Sequence, residues 1–228
     1  MKELIISAGG VNARLKDYLL REFNGIPKSV LPLPGRDESL IERIISRAIL
    51  FFDKIQVHAS PQNAACLSDL LQKIPNVEVV VDIYRTGPVG PQIRALIERK
   101  SRIYGCASDF YCDFDWGEFE RFHDSHDKPV SILVAPSISV SDGATFEFSG
   151  DKILAWNRSA QTKRNDIINM GCQIIDYACD FEEVVEQLQC QFFSTLIEKG
   201  FLMGYKLSTV GFNINTPKVY EAFCRHFR

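Results

Sequence analysis

The sequence has no long hydrophobic run. Its longest apolar stretches, Ala48–Phe52 and Val77–Val81 among them, are far shorter than the about 20 residues that a membrane-spanning helix needs. The first residues also lack the basic start of a secretory signal, because Glu3 leads directly into an apolar run that predicts a core strand. We therefore expect a cytoplasmic protein with no membrane partner.

The sequence also lacks a large excess of positive or negative charge, since 26 basic and 29 acidic residues leave a formal net charge of −3. This balance gives no general attraction to nucleic acid, so no nucleic-acid partner is expected. Disorder is excluded because 46% of the 228 residues are hydrophobic. Internal repeats and linker-like segments are missing too, which favours a single domain over residues 1–228.

The seven cysteines include no C-x-x-C pair. Most of them lie in apolar segments, which favours reduced core thiols over disulfides or structural zinc.

The Walker A loop, G-x-G-x-x-G and the G-x-S-x-G elbow are missing as well. Their absence argues against a P-loop enzyme, a dinucleotide-binding enzyme and a serine hydrolase.

Strands and helices alternate in the first half of the chain, which predicts a parallel sheet with right-handed crossovers. The predicted strands there are Leu4–Ala8, Lys54–Ala59, Val77–Asp82 and Arg102–Ser108, with helices over Ser39–Phe52, from Ser60 to Lys73 and from Pro91 to Lys100. The second half is predicted to hold helices Trp116–Ser125 and Thr216–Phe227, helices within Phe181–Lys199, and strands Val130–Ala135, Ala144–Phe148, Lys152–Trp156, Ile167–Ile175 and Leu202–Val210.

Two glycines, Gly9 and Gly10, follow the first predicted strand. Ligands of α/β sheets collect at the carboxyl ends of the strands, and glycine lets backbone N–H groups approach an anion there. Arg14 adds a planar fork for phosphate oxygens, and Pro27 precedes Lys28, whose ammonium is suited to the same phosphates. The glycine pair alone favours an ordinary strand-to-helix turn, and only the joint pattern indicates phosphate binding.

These motifs, A-G-G-x-x-x-R-L followed by P-K-x-x-L-P-L, resemble those of the sugar-phosphate nucleotidyltransferases. The resemblance implies a Rossmann-like fold of the GT-A type, which is a three-layer α/β/α arrangement around a mixed, mainly parallel sheet. It also implies a nucleotide-binding half over residues 1–115 and a sugar-phosphate and metal half over residues 116–228. The chain departs from the family pattern at Asn12 and Ala13, where glycine and Ser/Thr are usual.

Further segments are similar to family elements in the same order, and they carry the implied site residues. Gly87-Pro-Val-Gly90-Pro91 resembles the loop near the nucleotide, and Asn169-Met-Gly171 resembles the N-A-G element that contacts the sugar. Asp109 stands where the family binds Mg²⁺, and Asn213 stands where a second metal ligand is expected. The resemblance thus implies catalytic roles for Arg14, Lys28 and Asp109, nucleotide binding by Ala8, Gly9, Gly10, Val11, Gly87 and Gly90, substrate binding by Asn169 and Gly171, and Mg²⁺ on Asp109 and Asn213.

The implied reaction joins an NTP and a sugar 1-phosphate into an NDP-sugar and pyrophosphate, for the synthesis of glycan, capsule or other cell-surface polysaccharide. Three alternatives stay open. The family's E-K-P element is replaced by Asn157-Arg-Ser159, which suggests a cytidylyltransferase for a non-sugar phosphate such as phosphocholine. Asp113-Phe-Asp115 suits a GT-A glycosyltransferase, and the changes at Asn12, Ala13 and Asn213 suit a silent nucleotide-binding regulator. The sequence also leaves open the base of the NTP, the sugar of the sugar 1-phosphate and whether the protein forms a homo-oligomer.

Other charged residues have plainer interpretations. Asp113 and Asp115 are expected to cap the helix that begins at Trp116, where negative charge complements the helix dipole. His123 and His126 have the i,i+3 spacing of metal ligands, but a solvated helix end is the favoured interpretation.

Overall fold

The chain is described here by a computed structural model over residues 1–10, 14–83, 87, 89–137, 145–157, 166–178 and 189–227. The strands in these ranges are β1 (Glu3–Ala8), β2 (Lys54–Ala59), β3 (Val77–Val81), β4 (Ile103–Ala107), β5 (Phe110–Tyr111), β6 (Val130–Pro136), β7 (Thr145–Ser149), β8 (Lys152–Asn157), β9 (Ile167–Ile175), β10 (Leu202–Lys206) and β11 (Phe212–Asn213). The helices are α1 (Lys16–Phe23), α2 (Leu40–Ala48), α3 (Pro61–Leu71), α4 (Gly90–Arg99), α5 (Trp116–Asp124), α6 (Gln189–Glu198) and α7 (Pro217–His226), with a short 3₁₀ helix over Lys28–Val30.

Nine of the strands form one sheet in the order β3-β2-β1-β4-β9-β6-β10-β8-β7, and β7 also pairs with β9. β1, β2, β3 and β4 are mutually parallel, as the alternating pattern predicted. β9 then runs antiparallel to both β4 and β6 and lies between them in the sheet. A strand from residues 116–228 is therefore paired directly with a strand from residues 1–115. The sheet is therefore continuous through both halves, and β8 and β9 run against its other strands.

Helices cover both faces of this sheet. One apolar cluster joins α2, α3 and α5 to β1, β2 and β4, and a second joins α4 and α6 to the other face. A third cluster packs α1 and α7 beside the 3₁₀ helix. The fold is thus a mixed α/β arrangement with its core on the two sides of one sheet.

Local sequence explains where α2 begins and which side it buries. Ser39 caps the helix and forms a capping box with Glu42, whose carboxylate accepts from the Ser39 N–H at 2.9 Å. The residues that it buries follow helical spacing, and they are Leu40, Ile41, Ile44, Ile45 and Ala48. The same spacing had predicted this helix, and the structure confirms it with ends at Leu40 and Ala48.

Helix α1 and the strand that begins at Leu202 differ from the sequence-based expectation. Helix α1 was not predicted, because only Leu19 is buried within it and one residue gives no periodicity. The strand expected over Leu202–Val210 ends at Lys206, since the chain leaves the sheet after the Leu207 N–H donates to the Val134 carbonyl at 2.9 Å. Of the predicted Phe181–Lys199 helices, the structure shows a helix over Gln189–Glu198, and residues 181–188 lie outside the described residues.

The expectation of a solvated helix end at His123 and His126 is wrong for His123. That side chain is 1% exposed, with its Nδ1 atom 2.8 Å from the Ser131 hydroxyl and its Nε2 atom 3.2 Å from an Asp176 carboxylate oxygen. His126 is half-buried and places its Nε2 atom 3.0 Å from the same hydroxyl. The last turn of α5 packs onto β6 at Ser131, which sequence spacing alone does not reveal.

Most of the described cysteines are buried free thiols, as the sequence indicated. Among the described residues, Cys106, Cys112 and Cys172 are buried free thiols, and Cys66 and Cys224 are half-buried free thiols. No helix within the described ranges is long and apolar enough to cross a membrane.

Candidate active site

The candidate site lies at the carboxyl edge of the parallel strands β1 and β4. β1 ends at Ala8 and is followed by Gly9 and Gly10, while β4 ends at Ala107 and is followed two residues later by Asp109. The Ser108 N–H donates to the Ser7 carbonyl at 3.2 Å, which extends the pairing to this edge. The glycine loop and Asp109 therefore emerge side by side, as parallel neighbours must.

Lys28 and Asp109 form an ion pair between the Lys28 ammonium and the Asp109 Oδ2 atom. Their side chains are only 20% and 15% exposed, so solvent screens the pair weakly. Pro27 is extended, with φ −58° and ψ 142°, and it starts the 3₁₀ helix that aims Lys28 toward the sheet. A Cβ atom built on Gly10 would lie 3.8 Å from the Lys28 Nζ atom, so the glycine loop passes directly beside the ammonium.

Asn213 is brought to Asp109 by a small sheet of two short strands. β5 and β11 pair antiparallel with Phe110 opposite Asn213, and the Ile214 N–H donates to the Asp109 carbonyl at 2.7 Å. Residues more than 100 positions apart thus meet at one edge. Strands of two residues carry no periodicity, so only the resemblance pointed to this pairing.

Asn169 and Gly171 lie on β9, next to both of these elements. The Asn213 side-chain amide donates to the Asn169 carbonyl at 3.4 Å, and the Asn169 Oδ1 atom accepts from the Gly171 N–H at 2.6 Å. Gly171 has a φ of +74°, and a Cβ atom there would lie 2.8 Å from the Ala107 Cβ atom. Glycine is therefore required where β9 passes the end of β4.

The other predicted residues have less direct links to these elements or lie outside the described residues. Gly90 is the first residue of α4, and its N–H donates to the Gly87 carbonyl at 3.2 Å, after the carboxyl end of β3. Arg14 is exposed just before the buried Leu15. Val11 lies outside the described residues. The structure thus brings Gly10, Lys28, Asp109, Asn169 and Asn213 together, while the phosphate role of Arg14 stays a prediction.

Asn63 is a site residue that the sequence reasoning missed. Its side-chain amide donates to the Ala8 carbonyl at 3.3 Å, which fixes the backbone where the glycine loop begins. Asn63 is the third residue of α3, whose start follows the carboxyl end of β2. Its place in the first turn after Ser60-Pro61 was the available signal, because that turn was already predicted at this edge.

The two acids of the D-x-D segment have other partners. The Asp115 Oδ1 atom accepts from the Glu118 N–H at 2.8 Å, which confirms the predicted cap of α5. Asp113 does not cap this helix as expected. It forms an ion pair with Arg47 at 2.6 Å instead, because α2 presents that guanidinium to it.

Thiols near the site are protonated rather than nucleophilic. Burial raises the pKa of the Cys112 thiol well above its ordinary value, and it does the same to the pKa of Cys172 on β9. Thiolate chemistry at this edge is therefore disfavoured.

The donor set fits a hard cation such as Mg²⁺. Asp109 offers a carboxylate and Asn213 an amide oxygen, and Mg²⁺ takes one or two protein oxygens and completes its shell with water and phosphate. Asn215, two residues further along, has a buried Oδ1 atom without a partner among the described residues. Clusters of three or more His, Cys, Asp or Glu residues suited to a metal are absent from the described ranges, so a site here would depend on phosphate oxygens.

Comparison with solved structures identifies the fold. A protein assigned as a glucose-1-phosphate thymidylyltransferase from Bacillus anthracis, in complex with sucrose, superposes with a TM-score of 0.77 at 13% sequence identity, over 99% of this chain and 95% of that chain. HddC from Yersinia pseudotuberculosis superposes with a TM-score of 0.73 at 19% identity over 100% of both chains, and its complex with GMP-PN gives the same values. No protein-family model matches the sequence, and no curated protein matches it significantly.

The chain therefore has the fold of a nucleotidyltransferase structure. The resemblance that its motifs indicated is confirmed at the level of the fold, and the similarity extends over nearly the whole length of both chains.

Proposed function

We propose that this protein is a nucleotidyltransferase that joins an NTP and a sugar 1-phosphate to give an NDP-sugar and pyrophosphate. The observation that carries the proposal is the position of Lys28, which forms an ion pair with Asp109 and lies beside Gly10. A phosphate-binding loop, a cation and a metal-binding carboxylate then share one small site. Among the structures that share the fold, HddC was solved with GMP-PN and the Bacillus anthracis protein with sucrose, which is consistent with both substrates.

The site is suited to two anionic reactants. Gly9 and Gly10 follow the end of β1, where their backbone N–H groups would bind phosphate, and Lys28 and Arg14 would supply positive charge. Without ligands, Lys28 and Asp109 neutralise each other. When phosphates bind, their oxygens compete with Asp109 for the ammonium, and the carboxylate is released for a cation.

Asp109 and Asn213 would hold Mg²⁺ at this point, with Asn213 contributing a neutral oxygen where a carboxylate is the stronger ligand. When bound, Mg²⁺ would neutralise phosphate charge and act as a Lewis acid. The hydrogen bond from the Asn213 amide to the Asn169 carbonyl leaves its Oδ1 atom for such a ligand role.

The chemistry then follows from positioning. An oxygen of the sugar 1-phosphate forms a bond to the α-phosphorus of the NTP, and the bond from that phosphorus to the bridging oxygen breaks, so pyrophosphate leaves with the electron pair. No general base is needed, because a sugar phosphate is ionised near neutral pH. Lys28 would stabilise charge at the α-phosphate, and Arg14 with the glycine loop would hold the departing phosphates.

One alternative is disfavoured by the partners of the D-x-D acids. A GT-A glycosyltransferase would need Asp113 and Asp115 free for a metal, but Arg47 binds the first and the α5 cap uses the second. The cytidylyltransferase and silent-regulator alternatives share the present site and are separated from the proposal only by assay.

The test is incubation of the protein with each NTP, a panel of sugar 1-phosphates, phosphocholine and Mg²⁺, with pyrophosphate release as the readout. We expect turnover with at least one sugar 1-phosphate. Lys28→Ala and Asp109→Asn should each lower kcat/KM by about 10²–10³-fold, as the loss of one transition-state charge partner does elsewhere.

Lys73→Ala is the matched control, because Lys73 is exposed beyond the end of α3 and away from the site. Turnover with phosphocholine alone would replace the proposal by the cytidylyltransferase. NTP binding without turnover on any acceptor would replace it by the silent regulator.

A further inference from the structure

Three buried polar side chains lie below the candidate site, within the apolar cluster between the sheet and α4. Gln92, Gln173 and Ser7 are only 1%, 3% and 9% exposed. The Gln92 Nε2 atom donates to the Ser7 hydroxyl at 3.4 Å, and the Gln92 Oε1 atom accepts from the Gln173 side-chain amide. Burying amides is costly unless they are paired, so this arrangement calls for a reason.

A glycine provides the space for the network. A Cβ atom built on Gly105 would overlap the Gln92 Cδ atom, so the amide of Gln92 occupies the position of a missing side chain on β4. β4 lies between β1 and β9, which carry Ser7 and Gln173. The Gln92 amide therefore crosses β4 and links the strands on its two sides.

Each end of this link lies next to a segment of the candidate site. Ser7 precedes Ala8, where the glycine loop begins, and Gln173 lies two residues beyond Gly171 on β9. Gln92 itself is the third residue of α4, two positions after Gly90. The Gln92 side chain of α4 thus contacts both β1, which leads into the glycine loop, and β9, which carries Asn169 and Gly171.

We propose that Gln92 is a positioning residue, which fixes the glycine loop, the start of α4 and the Asn169–Gly171 segment relative to one another. The inference rests on the proposed function, because its consequence is alignment of the nucleotide with the sugar phosphate. Glutamine is required at this position because its amide donates to Ser7 and accepts from Gln173 at once. Glutamate lacks the donor, and methionine lacks both groups.

The test is the paired variant Gln92→Met/Gln173→Met, compared with Gln72→Met as a control. Replacing both partners by apolar groups of similar shape avoids an unpaired amide, so the paired variant should fold with a Tm close to that of the wild type. Gln72 is exposed at the end of α3 and outside the site. We expect kcat to fall by about 10–100-fold in the paired variant, since a displacement of about 1 Å can cost that much. NTP affinity measured without sugar phosphate should change by less than about threefold, because alignment rather than binding is lost.

Hydrogen exchange of the free proteins is the second measurement. The paired variant should exchange faster in β1, in the first turn of α4 and in β9, with no change in α5. Wild-type kcat in the paired variant, or faster exchange throughout together with a large fall in Tm, would overturn the inference. If the wild type itself shows no turnover, the proposed function fails, and the local or uniform pattern of exchange still decides whether Gln92 couples these segments.

Discussion

Replacing Gly171 by alanine tests whether β9 passes the end of β4 too closely to leave room for a Cβ atom. Gly171 has a φ of +74°, and the added Cβ atom would lie 2.8 Å from the Ala107 Cβ atom, which is closer than carbon atoms approach. The left-handed backbone costs about 1–2 kcal/mol for a residue with a Cβ atom. The close contact in a packed sheet adds about 1–3 kcal/mol.

A second glycine separates these two costs. Gly35 has a φ of +69°, and nothing lies within 4 Å of the Cβ atom that alanine would add there. Gly35→Ala therefore measures the backbone cost, together with the loss of freedom in the unfolded chain that both variants share. We expect Gly171→Ala to lower the free energy of unfolding by about 1–3 kcal/mol more than Gly35→Ala does.

The assay is urea unfolding of Gly171→Ala, Gly35→Ala, Ala107→Gly and the double variant Ala107→Gly/Gly171→Ala. Because Ala107→Gly removes the atom that the new Cβ meets, the double variant should recover the contact cost, with a coupling energy of about 1–3 kcal/mol. Equal effects of Gly171→Ala and Gly35→Ala, with no coupling to Ala107, would refute the argument that β9 is held against β4 by this close contact.

Three further predictions concern the metal ligand, the D-x-D acids and pH. Asn213→Asp should lower the Mg²⁺ concentration that gives half-maximal turnover, because a carboxylate is the stronger ligand for Mg²⁺; an unchanged or higher concentration in a Mg²⁺ titration would contradict the assignment. Asp113→Asn should leave turnover unchanged and cost no more than about 1 kcal/mol, because its exposed ion pair with Arg47 is screened, and loss of turnover would revive the D-x-D alternative. Burial, together with the nearby His123, lowers the pKa of His126, so its neutral form is favoured in the folded protein and stability falls as pH drops below about 6.5. Urea unfolding at pH 7.5 and pH 5.5 should therefore show a smaller loss of stability in His126→Gln than in the wild type, and an equal loss would show that other groups dominate.

Much of the fold was predictable because its elements are long and strongly patterned. The strands Lys54–Ala59 and Ile167–Ile175 have the predicted bounds, because their apolar residues are buried in the continuous or alternating pattern from which strands are predicted. The short strands β5 and β11 could not be predicted, because two residues have no period. Their pairing depends on tertiary contacts, and it is this pairing that brings Asn213 to Asp109.

The resemblance named the residues of the candidate site, but it gave no geometry for them. Lys28 and Asp109 lie 81 positions apart, and only the resemblance placed them together before the structure did. Gln92 and Asn63 gave no such signal in the sequence, because they belong to no motif and their contacts exist only after the sheet has formed. The burial of His123 was missed for the same reason, since this residue of α5 is buried by packing against Ser131 on β6.

The central claim, that a sugar phosphate attacks the α-phosphorus of an NTP, is tested most directly by isotope transfer. Sugar 1-phosphate with a heavy-oxygen label in its phosphate would be incubated with the NTP that supports turnover. The masses of the NDP-sugar and of pyrophosphate would then be measured by mass spectrometry. We predict that all of the label appears in the NDP-sugar and none in pyrophosphate, with the two products formed in equal amounts. Label in free phosphate or pyrophosphate, or sugar transfer without pyrophosphate, would contradict the claim.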